Sequence, residues 1–105
     1  VSELRDGTIR EYTITAEEMG LRPGKLDDIR TDSAEESAQM ILAILSGEDQ
    51  GTPRDMALIN TSGALVVAGL ADDLKQGVSL ASEAVDSGRA LEKLEQLKTF
   101  SQQAA

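Results

Sequence analysis

The spacing of helix-start and helix-stop residues constrains the fold of this chain more than any other feature of its sequence. Three residues that can cap a helix each stand three positions before an acidic or amide side chain: Ser33, Thr52 and Asp73. Three glycines stand where helices commonly end: Gly47, Gly69 and Gly88. This pattern predicts four helices within residues 33–103, the last running from Arg89 to about Gln102.

Apolar residues recur at helical spacing inside three of these segments. The first segment has the predicted stripe Ala34, Ala38, Ile41, Leu42 and Leu45. The third has Leu74, Val78, Ala81 and Val85, and the fourth has Leu91, Leu94 and Leu97. Residues 53–68 are predicted to form one helix, with Pro53 in its first turn and Asp55 at its positive end. The alternative for that segment is a strand over residues 56–59, then a turn and a helix.

Residues 1–14 predict a β-hairpin. Asp6-Gly7 is a strong signal for a two-residue turn, because both central positions of that turn need a positive φ. Counting outward from the turn gives four predicted cross-strand pairs: Arg5 with Thr8, Leu4 with Ile9, Glu3 with Arg10, and Val1 with Tyr12. A lone two-stranded hairpin is marginally stable in water, so this hairpin is expected to join a larger sheet.

The segment between the hairpin and the helices carries weaker signals. Thr15-Ala-Glu-Glu18 is a capping box, and with Gly20 as a stop it predicts a short helical turn. Residues 21–31 contain Pro23-Gly24 and are predicted to be a connecting loop.

Composition excludes several classes of function. A chain of 105 residues has room for one domain. Its net charge of −9 and scattered basic residues argue against binding to nucleic acid or to an anionic membrane. The chain has no cysteine and no histidine, so thiolate chemistry and the commonest general base are ruled out. No signal peptide is recognisable, and the chain is expected in the cytoplasm.

The most apolar stretch, LINTSGALVVAG, contains the polar interruption Asn60-Thr61-Ser62-Gly63. A phosphate-binding loop would need a glycine-rich turn between a strand and a helix, and one glycine without a following lysine is a weak match. The favoured interpretation is that small residues let a buried helix approach its neighbours closely, namely Thr61, Ser62, Gly63 and Ala64. Asn60 would then need a hydrogen-bond partner if it were buried.

The other candidate sites have simpler structural explanations. Adjacent carboxylates at Asp27-Asp28 and Asp72-Asp73 are possible Mg²⁺ ligands, but solvated or helix-capping acids explain them better. Tyr12 and Lys25 could act as an acid and a cation, although nothing in their spacing supports this. Three hydroxyl–carboxylate pairs are better explained as helix caps, namely those that begin at Thr15, Ser33 and Thr52. The residues themselves predict no catalytic, substrate-binding or metal-ligating group in this chain.

Several pieces in a fixed order carry a resemblance. These are the strand–turn–strand ending in TAEEMGL, the segment RDMALINTSGALVVAG and the tail DSGRALEKLEQL. Together they resemble the C-terminal portion of the anthranilate phosphoribosyltransferase family, and the resemblance covers essentially the whole chain. It implies the α/β class, with residues 1–105 as the last part of a nucleoside-phosphorylase/phosphoribosyltransferase-type α/β domain. The start at Val1 in mid-strand suggests a piece of a longer chain.

The family implies an activity that these residues cannot perform alone. Its members transfer a phosphoribosyl group from phosphoribosyl pyrophosphate to anthranilate, with Mg²⁺, in tryptophan biosynthesis, and they dimerise through an N-terminal helical domain. The family's Gly-Thr-Gly-Gly-Asp loop, anthranilate-contacting Asn and His, and Mg²⁺-binding Asp-Glu pair are expected upstream of Val1. The segment alone is therefore expected to be inactive. The alternatives are a nucleic-acid-binding paralogue of the same fold and a free-standing helical interaction module.

Overall fold

The computed structural model describes residues 1–104 as one hairpin followed by four helices. The strands are β1 (Ser2–Arg5) and β2 (Thr8–Glu11), and two 3₁₀ turns follow at Glu17–Met19 and Leu26–Ile29. The helices are α1 (Ala34–Leu45), α2 (Thr52–Val67), α3 (Leu74–Asp86) and α4 (Arg89–Ala104). The predicted α/β class, seen as a hairpin plus four helices, is confirmed.

The register of the hairpin is the predicted one. The strands are antiparallel, and the three inner pairs align as expected from the turn. Val1 and Tyr12 exchange both backbone hydrogen bonds, at 2.8 and 2.9 Å, which confirms the fourth pair. Asp6 and Gly7 have φ of 52° and 79°, the positive values that the tight turn requires.

The start of α2 differs from the prediction. Ser33 and Asp73 cap their helices, since their side chains accept the backbone N–H of Glu36 (3.1 Å) and Gln76 (2.8 Å). Thr52 does not cap: the cap position is Gly51, and Thr52 is the first residue of α2. The Thr52 side chain is instead packed against Gly24, where there is no room for a Cβ atom.

The connection over residues 21–31 is more ordered than a plain loop. Lys25 donates its backbone N–H to Asp28 Oδ2 at 3.0 Å, and this bond closes the 3₁₀ turn at Leu26–Ile29. The prediction missed this turn because Pro23-Gly24 dominates the local signal.

The core lies between α2 and α3. Leu58 on α2 and Val78 and Ala81 on α3 are buried together, which confirms the predicted stripe of α3. Five partly buried side chains pack around them: Met19, Leu21, Ile59, Leu65 and Val85. α2 is continuous through residues 60–63, so the alternative with a strand over residues 56–59 is wrong.

Two predicted stripes are only partly buried. On α1, Ile41 and Leu42 are 48% and 43% exposed, and Ile44 is the buried residue instead. α1 has apolar residues on two sides, and it turns the side with Ile44 towards the other helices. On α4, Leu97 is 60% exposed, whereas Leu91 and Leu94 are partly buried. The predicted burial of Ile41, Leu42 and Leu97 was therefore wrong, and so was that of Ala34 and Ala38, which are exposed.

The chain exposes more surface than a globular protein of its mass. Its accessible area is 7605 Å², against about 5,700 Å² expected for a folded monomer of 11.2 kDa. The radius of gyration is 15.3 Å, against about 13 Å expected for this length. Much apolar surface is consequently left outside the small core.

Candidate functional site

The polar interruption in the apolar stretch lies at the closest contact between two helices. Ser62 of α2 is fully buried, and its hydroxyl donates to the carbonyl oxygen of Leu74 at 2.6 Å. Gly77 of α3 faces it. A Cβ at Gly77 would lie 2.6 Å from Ser62 Oγ and 2.9 Å from the Cα and carbonyl oxygen of Ser62. We call this contact of Ser62 with Gly77 the α2–α3 seam.

The seam confirms the interpretation of close packing and corrects its details. Gly63 was predicted to be among the residues that allow the close approach, but a Cβ added at Gly63 would meet no atom within 4 Å. Asn60 and Thr61 are exposed, so Asn60 needs no buried partner. Because residues 60–63 lie inside a continuous helix, their N–H groups are used in the helix itself and cannot cradle a phosphate.

Three of the four paired carboxylates, those of Asp27, Asp28 and Asp73, contact nearby groups. Asp27 lies 3.7 Å from Arg30, and Asp28 accepts the Lys25 N–H and lies 3.4 Å from the Thr52 hydroxyl. The Asp73 side chain caps α3. At Asp72 the backbone forms the bonds: its N–H donates to Gln76 Oε1, and its carbonyl oxygen accepts from Arg5. Over residues 1–104, no three potential metal-ligating side chains come together. These carboxylates therefore do not fit a Mg²⁺ site, and the assignment of no site residue to this chain stays a prediction.

The remaining predicted residues are also separated. The Thr15 hydroxyl accepts the Glu18 N–H at 3.3 Å, as predicted for a cap. Lys25 lines one cavity, beside α2, and Tyr12 lines another, beside the start of α3. The structure therefore does not bring Tyr12 and Lys25 together. None of the helices described is long and apolar enough to cross a membrane.

Tyr12 belongs to a polar cluster on the inner face of the hairpin. Its hydroxyl donates to Glu3 Oε2 at 3.0 Å, and the Arg10 guanidinium lies 4.8 Å from its ring centroid. Glu3 also pairs with Arg5 at 3.0 Å, and Arg5 donates to the carbonyl oxygen of Asp72 at 3.2 Å. The last bond ties the hairpin to the loop before α3.

Burial raises the pKa of Tyr12, and the hydrogen bond to Glu3 and the Glu3 charge raise it further, against a smaller opposing effect of Arg10. We expect the phenol to titrate above its ordinary value of 10.0. Absorbance at 295 nm reports it cleanly, since the chain has one Tyr and no Trp. The folded chain holds this proton more tightly than the unfolded chain. Its contribution to stability is therefore complete below pH 10 and is lost as pH rises through the raised pKa.

The matched control for this titration is Glu3→Gln, which removes the carboxylate charge and keeps a hydrogen-bond acceptor. The midpoint should then move back towards 10.0. An unshifted midpoint in the unsubstituted chain would show that Tyr12 is solvated like a free phenol.

A buried arginine was missed by the sequence analysis. The Arg54 side chain on α2 is 8% exposed, and its Nη1 lies 3.1 Å from Asp86 Oδ1 at the end of α3. Its Nη2 donates to Ser82 Oγ at 2.9 Å. Nη2 also donates to Asp86 Oδ2 at 3.4 Å, whereas Nη1 pairs with Oδ1 by charge and forms no hydrogen bond. No spacing rule connects Arg54 to a residue 32 positions away.

An apolar cavity lies between residues 14–29 and the first half of α2. Its volume is about 270 Å³. The large apolar side chains that line it include Met19, Leu21, Leu26, Ile29, Met56 and Ile59. The sequence analysis did not predict this cavity, because these residues come from two 3₁₀ turns, a loop and one side of a helix.

Comparison with known proteins gives a consistent result. A model of the glycosyl transferase family, a/b domain, matches residues 1–91. An anthranilate phosphoribosyltransferase of Methanococcoides burtonii is 46% identical over 100 residues, which are 95% of this chain and 28% of the relative. The enzymes of that name from Methylobacillus flagellatus and Acidovorax sp. (strain JS42) are 40% and 41% identical over 99% and 100% of this chain. The chain spans about three tenths of the length of these relatives, 28% to 30%.

Proposed function

This chain belongs to the glycosyl transferase family with an a/b domain, and we propose that its 105 residues are the C-terminal segment of an anthranilate phosphoribosyltransferase. The intact enzyme would transfer a phosphoribosyl group from phosphoribosyl pyrophosphate to anthranilate. The observation that carries this proposal is the identity of 40–46% to enzymes of that name over nearly the whole chain.

The surface of the chain supports its role as part of a larger domain. Leu4 and Ile9 are 72% and 70% exposed on the outer face of the hairpin, while the polar residues Glu3 and Arg10 face the helices. A hairpin that packed only against the helices of its own chain would turn its apolar face towards them. The exposed area exceeds that of a monomer by roughly 1,900 Å². A free-standing interaction module would instead have an ordinary surface.

Within the enzyme, these residues would act as a scaffold. Departure of pyrophosphate from a ribosyl centre needs positive charge beside the leaving group, which stabilises its developing negative charge, and an oriented nucleophile. Over residues 1–104 no three potential metal-ligating side chains come together, and the carboxylates of Asp27, Asp28 and Asp73 are engaged singly, in an ion pair, a turn and a cap. We therefore place the Mg²⁺ ligands and the substrate-binding residues in the rest of the enzyme. Dimerisation through a separate helical domain and a cytoplasmic location belong to the same proposal.

The proposal is tested with a chimera. The 105 residues replace the matching part of the Acidovorax sp. enzyme, to which they align over their full length. We expect the chimera to form phosphoribosyl anthranilate from phosphoribosyl pyrophosphate, anthranilate and Mg²⁺, and the 105-residue chain alone to form none. The controls are the unmodified Acidovorax enzyme and the same enzyme with the matching part deleted.

Two results would contradict the proposal. A chimera that folds, as shown by its circular dichroism, and yet is inactive would mean that this chain comes from a member of the family with another activity. Turnover by the 105-residue chain alone would show that the essential groups lie within it.

A further inference from the structure

The apolar cavity beside α2 is open to solvent, and this leaves large apolar side chains of its lining exposed to water. Leu26 is 81% exposed and Met56 is 40% exposed at its edge. Burying side chains of this size is favourable by about 1.5–3 kcal/mol each. Exposure of both at one concave surface is therefore typical of a contact that another element completes.

Two of the three charged residues that line the cavity, Arg22 and Asp55, already have partners. Asp55 accepts the Arg22 N–H at 3.5 Å, and the third charged residue, Lys25, is exposed. Arg22 itself donates to the carbonyl oxygen of Gln50 at 3.2 Å. A polar small molecule would need several convergent polar groups that orient it, and besides these paired groups the lining offers one exposed ammonium, that of Lys25. The rest of the lining is mostly apolar, so an apolar occupant fits it best.

The two candidate apolar occupants are a second copy of this chain and a segment from the rest of the proposed enzyme. A second copy would bring a net charge of −9 against another −9, which opposes association. The chain also leaves roughly 1,900 Å² more surface exposed than a monomer of its mass, whereas one side of a standard interface covers about 800 Å². This excess of exposed area is larger than one such side, so a large covering body is expected. About seven tenths of the length of the relatives lies outside these residues.

We infer that this cavity is the docking site for an apolar segment from the remainder of the enzyme, with Leu26 and Met56 at the centre of the contact. This inference rests on the proposed function, because the occupant belongs to the enzyme proposed there. It makes residues 21–31 part of an internal interface.

The absence of cysteine from the chain allows a direct test. Leu26→Cys is made both in the 105-residue chain and in the Acidovorax chimera, and alkylation by iodoacetamide at that position is followed by peptide mass spectrometry. Gln39→Cys, at an exposed polar position of α1, is the matched control. We expect the Leu26→Cys thiol to react at least about tenfold more slowly in the chimera, and the control to change by less than about twofold.

Equal rates for Leu26→Cys in the two proteins would overturn the inference. So would protection in the 105-residue chain alone that grows with concentration, because the occupant would then be a second copy. A chimera that does not fold would also overturn it, since the two parts would not fit each other.

A second variant checks the same contact through stability. Leu26→Lys should lower the urea midpoint of the chimera and leave that of the 105-residue chain unchanged, because the side chain is 81% exposed there. The same midpoint in both chimeras would contradict docking. The outcome is separable from the proposed function, since an active chimera with an unprotected thiol refutes only the docking. An inactive chimera with a protected thiol refutes only the activity.

Discussion

Gly77→Ala is expected to lower the free energy of unfolding by about 3 kcal/mol, near the upper end of the cost of overpacking. The added Cβ would lie 2.9 Å from the Cα and carbonyl oxygen of Ser62, and backbone atoms cannot rotate away. Relief of the clash must move α3 away from α2, which also lengthens the hydrogen bond from Ser62 to Leu74. Urea denaturation followed by circular dichroism at 222 nm measures the loss.

Gly63→Ala is the matched control, because the same methyl group is added in the interior of the neighbouring helix. Its Cβ would meet no atom within 4 Å, so the helix propensity of alanine is the only term that acts. We expect this variant to be more stable by about 1 kcal/mol. A Gly77→Ala variant as stable as the unsubstituted chain would show that α2 and α3 can separate at the seam without cost.

The second large effect is expected from Asp86→Ala, at about 2–3 kcal/mol of lost stability. Removing one partner of a buried ion pair leaves an uncompensated charge, which costs about 3–5 kcal/mol when both partners are buried. Here the Arg54 side chain is 8% exposed and that of Asp86 is 57% exposed, so water reaches one partner and the effect is smaller. The urea midpoint of the variant measures it.

Arg54→Met is the comparison that isolates the buried charge. It removes the guanidinium and retains an apolar stem of similar length, and it leaves Asp86 largely in water. We expect this variant to lose less stability than Asp86→Ala, about 1 kcal/mol. A larger loss for Arg54→Met would mean that the packing of the arginine stem, rather than its charge, holds α2 against α3.

The local elements could be predicted because their signals are local. The Asp6-Gly7 turn fixes the hairpin register, and Ser33 and Asp73 fix two helix starts, since each depends on residues no more than a few positions apart. The early start of α2 at Thr52 could not be predicted. The Thr52 side chain contacts Gly24 instead of capping the helix, and this contact joins residues that are distant in sequence.

The features that connect elements were the ones missed. Ser62 was predicted to lie at a close contact, but its partner Gly77 lies on another helix, and periodicity does not identify such partners. The same holds for Arg54, Ser82 and Asp86, which meet only when α2 and α3 pack. The cavity beside α2 depends on the path of residues 14–29, for which the sequence predicted a turn and a loop.

The hairpin is held to the helices by few long-range contacts, and this affects the order in which the chain folds. The seam joins positions 62 and 77, and neighbouring helices of this kind assemble quickly because little loop entropy is lost. The bond from Arg5 to Asp72 spans 67 positions, so the hairpin docks later. Docking does not cover the unpaired strand edges or the exposed Leu4 and Ile9, so these surfaces are available to other chains both before and after it. Aggregation of the 105-residue chain is therefore expected to proceed through the outer face and edges of the hairpin.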